Sequence, residues 1–176
     1  ITPTSTSTPI PTATTTPTIT PTPQTGKWII SVDSSAFDDS KTVTISVIAE
    51  NPVTGWLDTS YPILAIRCKE KLLEVFVATG QQFDVEYGLY DQSHVRIRFD
   101  ENEATTVIAS HSTDGKALFF KSAEYLVNSM LKSKLFTIGF TPFNASPVVT
   151  SFDLAGLSTA IEPLVSACPQ SSIYIP

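Results

Sequence analysis

The sequence predicts a mainly β protein, an antiparallel β-sandwich with two short helices, preceded by an extended Thr/Pro-rich segment. Three observations lead to this fold class. Short runs of alternating apolar and polar residues recur along the chain, an Asp-Gly pair stands between two of them, and no long helix alternates with these runs. We therefore divide the chain into an extended segment at residues 1–25, a β-sandwich domain at residues 26–168 and a C-terminal extension at residues 169–176.

The first 25 residues cannot build a hydrophobic core. Thr, Ser and Pro fill 20 of these positions, six of them are Pro, and none carries a charge. Such a tract favours polyproline II structure and is typical of linkers and of O-glycosylated stalks on exported proteins. The alternatives at this point are a flexible linker, a glycosylated stalk and a docking segment. The candidate O-glycosylation sites are Thr2, Thr4, Thr6, Thr8, Thr12, Thr14, Thr15, Thr16, Thr18, Thr20 and Thr22.

The strands are predicted from period-two alternation. The clearest is Thr42 to Glu50, where Val43, Ile45, Val47 and Ala49 share one face. Asn51 to Tyr61 is predicted as a loop, and Gly80 to Tyr90 is either a loop or a weak strand. Further strands are predicted at Trp28 to Val32, Ile63 to Cys68, Leu72 to Thr79, Val95 to Phe99, Thr105 to Ser110, Lys116 to Phe120, Leu135 to Phe140 and Val148 to Asp153.

Two turns and two helices complete the prediction. Lys69 to Lys71 joins two strands, and Asp114-Gly115 predicts a type I′ hairpin turn because both residues tolerate positive φ. Ser122 to Leu131 has helical spacing, with Ser122 as its predicted N-cap. Leu154 to Cys168 has a second helical stripe, in which Pro163 predicts a bend or a late start.

Charge and length exclude some functions. The net charge of -6 argues against nucleic acid and anionic membranes as main partners. No apolar run approaches the length of a transmembrane helix, and no signal peptide is recognisable, so any anchor is expected upstream of Ile1.

The two cysteines, Cys68 and Cys168, predict a disulfide, because a single pair in a protein with an exported type of stalk is seldom a metal or redox site. Two buried free thiols are the alternative.

Residues that could carry catalysis are few, and no cofactor is predicted. His111-Ser112-Thr113-Asp114 contains the residue types of a serine triad, but neighbours on one turn cannot form the required relay. His111 and His94 are therefore predicted to be surface residues, and we expect no enzyme activity. Asp100-Glu101-Asn102-Glu103 is a candidate calcium loop, with Asp38 and Asp39 a weaker one, against the alternative of solvated turns. We predict no metal site.

Aromatic residues offer a different chemistry. Trp28, Trp56, Tyr61, Tyr87 and Tyr90 could stack against sugar rings, although aromatic residues of a β-domain more often lie in its core. Trp56 and Tyr61 are the candidates for a ligand site.

Ten short phrases in residues 26–168 are informative when taken together. They are Gly26-Lys27-Trp28, Asp38 to Val43, Ala49-Glu50-Asn51, Arg67-Cys68, Arg96 to Asp100, Ser112 to Phe119, Leu131 to Leu135, Thr141 to Asn144, Phe152 to Leu157 and Ala167-Cys168. In their number and order these phrases resemble the TagO/VasI family of proteins associated with type VI secretion. The resemblance implies an exported, envelope-associated β-domain without catalytic residues to carry over. The Thr/Pro segment and the extension from Pro169 to Pro176 depart from the family pattern and suggest another use of the same domain.

The first functional hypothesis is a non-enzymatic extracytoplasmic assembly module, such as a subunit of a cell-surface filament, that associates with itself or with an envelope protein through its terminal extensions. Strand addition by Ile173-Tyr174-Ile175 is one form of it. The alternatives are a stalked module that binds glycan or cell-wall polymer, and a type VI secretion accessory protein.

Overall fold

The structure, a computed structural model, describes residues 25–36, 40–84 and 90–175. Eleven strands and three helices lie in these ranges. The strands are β1 (Ile29–Ser34), β2 (Lys41–Ile48), β3 (Val53–Thr54), β4 (Thr59–Ser60), β5 (Ile63–Lys69), β6 (Leu72–Ala78), β7 (Gln92–Phe99), β8 (Thr105–His111), β9 (Ala117–Phe120), β10 (Leu135–Phe140) and β11 (Val148–Asp153), and the helices are α1 (Ala123–Met130), α2 (Leu157–Ala160) and α3 (Glu162–Ala167).

Nine strands form one antiparallel sheet in the order β1-β2-β5-β6-β9-β8-β7-β10-β11, and β3 pairs with β4 in a small second sheet. The predicted fold class, mainly β and antiparallel with short helices, is confirmed. The large sheet is continuous and curls, so that β11 at one end reaches the chain that leaves β2 near the other end. There the Glu50 N–H donates to the Ser151 carbonyl at 2.8 Å, and the Thr150 hydroxyl donates to the Asn51 carbonyl at 2.7 Å.

Side-chain alternation sets which face of each strand is buried. In β2 the side chains of Val43, Ile45 and Val47 are buried as predicted, while the intervening polar residues are partly exposed. The core on the inner face continues through β5, β6, β10 and β11 and is closed by α1 over β6 and by α3 over β2 and β5. Burying this apolar surface is the main stabilising contribution to the fold.

The two helical segments form where the sequence predicts them. Leu126, Val127 and Met130 of α1 are buried, but the predicted cap is wrong. Ser122 precedes the helix with φ -105° and ψ 60°, outside the extended conformation of most N-caps, and its hydroxyl makes no capping hydrogen bond. The second segment divides into α2 and α3, with Pro163 in the first turn of α3, where its missing N–H costs no helical bond.

The type I′ geometry predicted for the Asp114-Gly115 turn is found instead in the turn from β5 to β6. Glu70 and Lys71 both have positive φ, 51° and 64°, in the two-residue connection of β5 to β6 that type I′ turns make. In the Asp114-Gly115 pair only Gly115 has positive φ, so the predicted type I′ turn is wrong. This loop is longer, because Ser112 N–H closes it on the Ala117 carbonyl at 2.9 Å. The region predicted as a loop after Asn51 also contains the short β3–β4 hairpin.

The domain begins at a tightly packed junction. Gly26 has φ +62°, and a Cβ at this position would lie 2.2 Å from the Ala155 carbonyl oxygen. Lys27 forms an ion pair with Asp153 at 3.2 Å, and Trp28 is buried in the core. Residues 1–24, which include the candidate O-glycosylation sites, lie outside the described residues. The point at which they join the domain is nevertheless held by core packing.

The C-terminal part of the chain is held by a disulfide and by hydrogen bonds. Cys68 of β5 and Cys168 after α3 are joined, with their Cα atoms 5.9 Å apart. Beyond this bond the chain lies against α1 of its own domain, because Asn128 Nδ2 donates to the Ser172 carbonyl at 2.7 Å and the Tyr174 N–H donates to Asn128 Oδ1 at 2.9 Å. The extension therefore packs on the domain up to residue 174.

The acidic loop after β7 has a structural role. One carboxylate oxygen of Asp100 accepts hydrogen bonds from the backbone N–H groups of Lys134 and Leu135 at 2.8 and 2.9 Å, at the start of β10. These two bonds hold the pKa of Asp100 below its ordinary value. The candidate calcium ligand is thus engaged in linking β7 to β10.

Replacing Gly26 with Ala should destabilise the domain, because the new methyl group meets a backbone oxygen and the backbone is in the left-handed region. We expect the free energy of unfolding to fall by about 2 kcal/mol and the melting temperature by about 5 °C. Thermal denaturation followed by circular dichroism measures this. Gly139→Ala is the matched control, because its Cβ would be 3.5 Å from the nearest heavy atom, a Val149 methyl carbon; an equal loss in both variants would contradict the account.

Replacing Asp100 with Asn should destabilise the protein in a pH-dependent way. A carboxyl whose pKa is lowered by folding contributes stability above its unfolded pKa of about 3.9, and loses that contribution as pH falls through the folded value. The stability difference between the wild type and Asp100→Asn should therefore be largest near neutral pH and disappear in strong acid. Denaturant titration of both proteins near neutral pH and in strong acid measures this stability difference. Glu101→Gln removes a neighbouring charge outside these hydrogen bonds, and the same pH profile in that control would refute the assignment.

Candidate functional site

The aromatic residues named from the sequence separate into buried and exposed groups. Trp28 is a core residue, 4% exposed, so its candidacy for a ligand platform is wrong. The side chains of Trp56, Tyr61 and Tyr90 are exposed, and Tyr87 lies outside the described residues. Trp56 borders a cleft, whereas Tyr61 does not line it, so the structure does not bring the two candidate ligand aromatics together in one site.

The cleft that Trp56 borders is named the Trp56 cleft. It has a volume of about 240 Å³ and opens to solvent. Three of its lining side chains are exposed apolar groups that the fold leaves uncovered: Trp56, Leu57 and Phe143, which are 60%, 84% and 49% exposed. The other lining residues are Asp58, Gly80, Gln81, Gln82 and Lys116.

Four loops at one end of the curled sheet build the cleft. They are the β3–β4 connection, the chain after β6, the β8–β9 turn and the chain after β10. Trp56 and Phe143 come from two of these loops and meet edge to face, with ring centroids 6.4 Å apart. Their contact ties together segments almost ninety residues apart in sequence, and edge-to-face pairs of this kind contribute about 0.5–1.5 kcal/mol beyond burial.

The β3–β4 hairpin presents Trp56 at its tip. The Gly55 N–H donates to the Asp58 carbonyl at 2.9 Å and closes the turn. A Cβ on Gly55 would clash with Gln81 Oε1, so any larger residue would require the Gln81 amide to shift. The side chain of Gln81 is thereby the support on which the Trp56 turn lies.

Gln81 is almost fully buried, and its side-chain amide is hydrogen-bonded to residues of the β3–β4 hairpin. Its Nε2 donates to Asp58 Oδ1 and to Ser60 Oγ, each at 2.8 Å, and Ser60 Oγ donates to the Thr79 carbonyl at 2.6 Å. A buried network satisfied in this way fixes one arrangement of its members. The floor of the cleft is therefore rigid before any ligand arrives.

Gln82 holds the opposite wall. The side-chain Nε2 of Gln82 donates to the Asp114 carbonyl at 2.9 Å, and the backbone carbonyl of Gln82 accepts a hydrogen bond from the Phe143 N–H at 2.8 Å. Gly115 packs so closely on the Gln82 amide that a Cβ there would lie 2.5 Å from its Oε1. Gln82 therefore positions the β8–β9 turn through its side chain and Phe143 through its backbone.

The rim of the cleft combines both charges with an apolar surface. Asp58 and Lys116 line it, and within the described part of the chain Lys116 makes no ion pair. An open aromatic surface beside a few polar groups suits a ligand that has an apolar face and hydroxyl groups at its edge. It does not suit a reaction that needs an enclosed, water-free site.

The histidines occupy other places. His94 is exposed on β7, as predicted. His111 is not a surface turn residue, because it ends β8 with its Nε2 2.8 Å from Ser93 Oγ and its ring 4.9 Å from that of Phe83. Ser112 and Asp114 instead hydrogen-bond to each other, and that bond lowers the pKa of Asp114. Thus Ser112 contacts Asp114, while His111 Nε2 contacts Ser93 of the neighbouring strand β7.

The metal candidates are likewise separate from the cleft. Asp100 is used in bonds to β10, and Asp38 and Asp39 lie outside the described residues. Among residues 25–36, 40–84 and 90–175, no group of three or more His, Cys, Asp or Glu side chains could hold a metal ion. In the same ranges no helix has the length and apolarity needed to cross a membrane.

The sequence identified Trp56 but not its partners. Leu57 and Phe143 look like ordinary core residues in the sequence, and Gln81 and Gln82 stand in a stretch with no clear periodicity. The only available signal was the density of Gly and Pro around these residues, which predicts loops but not which loops meet.

Comparison with known proteins identifies a related fold and no family. No family model matches the chain, and no curated protein matches it, so the TagO/VasI resemblance is not confirmed. Among solved structures, the crystal structure of invasion associated protein B from Bartonella henselae is similar to this domain, with a TM-score of 0.52 and 14% sequence identity over 80% of this chain and 93% of that chain. At this level of identity the similarity concerns the fold alone.

Proposed function

We propose that this protein is a non-enzymatic, extracytoplasmic binding module that holds carbohydrate in the Trp56 cleft and is carried on its Thr/Pro segment as a stalk. One observation carries the proposal. A Trp side chain that is 60% exposed stands next to Phe143 above a floor of hydrogen-bonded amides, although burial would stabilise both rings.

The chemistry of the cleft matches a sugar ring. A pyranose has an apolar face of C–H groups that packs on an aromatic ring, and its hydroxyl groups need both donors and acceptors at the edge. The indole of Trp56 supplies the packing surface. Asp58 is an acceptor, Lys116 a donor and Gln82 an amide at the same rim.

The size and openness of the cleft favour one unit of a longer chain. A volume of about 240 Å³ is below the range of about 300–1,000 Å³ typical of pockets that enclose a small molecule. An open cleft lets a polymer pass across it while one ring stacks on Trp56. Affinity per site is then modest, and several sites on a surface raise it through multivalency.

Export is supported by two features together. Ser/Thr/Pro-rich segments are common on exported proteins, and the Cys68–Cys168 disulfide persists in oxidising compartments. A stalk also has a physical purpose for a binding module, because an extended segment of this length moves the cleft up to about 75 Å from an anchoring point. The assembly role and the type VI accessory role suggested by the sequence stay predictions.

Replacing Trp56 with Ala should abolish carbohydrate binding without unfolding the domain. Soluble oligosaccharides of glucose and of N-acetylglucosamine, titrated calorimetrically, are the first probes. We expect at least a tenfold loss of affinity for whichever probe binds, which corresponds to about 1.4 kcal/mol, because the stacking surface is removed. The melting temperature should fall by only a few degrees, because the variant loses the edge-to-face contact with Phe143 while most of the Trp56 side chain is exposed.

Tyr61→Ala is the matched control, because Tyr61 is 58% exposed, almost as much as Trp56, yet does not line the cleft. It should bind like the wild type. Equal loss in both variants, or normal binding by Trp56→Ala, would reject the cleft as the site. If no glycan from a broad array binds the wild type, the carbohydrate proposal is wrong.

The stalk interpretation predicts attached sugar on the Thr-rich segment. Protein isolated from its native source should have an intact mass above the 19.0 kDa of the bare chain, and the excess should map to residues 1–25 after proteolysis. Mass spectrometry before and after chemical deglycosylation measures it. An unmodified mass would leave a bare linker in place of a glycosylated stalk.

A further inference from the structure

The Trp56 cleft has the features of a surface that binds proline-rich peptides. Trp56 and Phe143 meet edge to face in an open aromatic surface, and Leu57 beside them is 84% exposed. Peptides in the polyproline II conformation dock in aromatic-lined grooves, because proline rings pack on exposed aromatic faces and the peptide loses little entropy on binding. The surface that suits a sugar ring therefore also suits a proline ring.

The cleft also offers donors for the backbone of such a peptide. A polyproline II segment makes no internal hydrogen bonds, so its carbonyl groups are free to accept bonds from a partner. In the part of the chain that the structure describes, the Trp56 indole N–H donates no hydrogen bond and Lys116, at the rim, makes no ion pair. Both groups are in a position to donate to the carbonyl oxygens of a peptide that crosses the cleft.

The same chain contains a peptide of matching chemistry. Residues 1–25 contain six prolines and no charge, and Pro9-Ile10-Pro11 is the only run of three apolar residues among them. Because polyproline II has three residues per turn, these side chains point in three different directions, and two of them face any groove in which the run lies. The run has no charge to pair with Asp58 or Lys116, so ring packing and backbone hydrogen bonds would hold it.

The Thr/Pro segment joins the domain about 25 Å from the cleft. Where it joins, Lys27 pairs with Asp153 at the C-terminal end of β11. Phe143 lies beyond the other end of this strand, because β10 runs antiparallel to β11 and its last residue, Phe140, pairs with Val148. The strand rises about 17 Å, and the residues after Phe140 add up to about 10 Å.

This distance selects which prolines reach the cleft. In polyproline II each residue adds about 3.1 Å, so Pro11 lies up to about 43 Å from Thr25 and reaches the cleft with slack. Pro21 and Pro23 lie within about 12 Å of Thr25 and do not reach it. The run from Pro9 to Pro11 is therefore available to the cleft, whereas the Pro21–Pro23 pair is not.

We propose that the run from Pro9 to Pro11 docks in the Trp56 cleft of its own chain and competes there with carbohydrate. A flexible connection of this length gives an effective concentration in the millimolar range, so a contact with a dissociation constant of about 1 mM is about half occupied. Between separate molecules the same contact would need millimolar protein. The competition rests on the proposed carbohydrate function, whereas the docking itself does not.

Quenching of tryptophan fluorescence in the full chain tests the docking. The chain has two Trp residues and Trp28 is buried, so quenching by acrylamide reports mainly on Trp56. We expect Pro9→Thr combined with Pro11→Thr to raise the quenching constant about twofold, because a half-occupied contact shields the ring half of the time. Pro21→Thr combined with Pro23→Thr makes the same change of composition and is the matched control, which should behave like the wild type.

Calorimetric titration tests the competition. The variant changed at Pro9 and Pro11 should bind the oligosaccharide about twofold more tightly than the wild type, since apparent affinity falls in proportion to the fraction of free clefts. If no oligosaccharide binds the wild type or the variant, the proposed function fails, and quenching still decides the docking.

Three results would overturn the proposal. The docking is refuted if acrylamide quenches the wild type and the variant changed at Pro9 and Pro11 equally, or if both double variants gain quenching to the same extent. Docking within one chain also requires that wild-type quenching stays constant between micromolar and millimolar protein; a change with concentration would assign the contact to separate copies. Equal oligosaccharide affinity of the wild type and the variant would refute the competition.

Discussion

The curl of the nine-stranded sheet is the constraint on which the other features depend. It is fixed where the chain leaving β2 meets β11, through hydrogen bonds that join Glu50 to Ser151 and Asn51 to Thr150. The curl encloses the apolar inner face, which the helices then close. It also places residues 50 and 51 against β11, while β1 at the opposite end of the sheet is exposed, and it brings together loops that are distant in sequence.

Core stability and the candidate site use separate parts of this architecture. The core depends on alternating strands, on the disulfide from β5 to the end of α3 and on the glycine contact at the start of the domain. The cleft depends on loops backed by Gln81 and Gln82, whose amides are hydrogen-bonded within the protein. Exposed aromatic residues are tolerated there because the side-chain amides beneath them already have hydrogen-bond partners. A ligand would therefore meet a surface that needs little ordering on binding.

The carboxylates show how context decides a role. Asp100 looks in the sequence like a calcium ligand, yet its carboxylate accepts hydrogen bonds from backbone N–H groups, as that of Asp153 does, and these bonds lower both pKa values. Ionised carboxylates that accept hydrogen bonds from backbone N–H groups have a structural role and are poor proton donors near neutral pH. The C-terminal extension likewise makes its hydrogen bonds within its own domain, where it packs on α1.

Sequence alone determined the nine strands of the large sheet, the buried face of β2, both helical segments and the single pairing open to two cysteines, because each follows from local periodicity or composition. It also identified Trp56 as a candidate ligand residue. The tertiary structure decided what stands beside that residue, since Gln81, Lys116 and Phe143 come from other loops and carry no shared local signal. It likewise decided that β1 is exposed and that Trp28 is core. Those outcomes depend on how the sheet closes, and contacts between distant segments leave no trace in neighbouring residues.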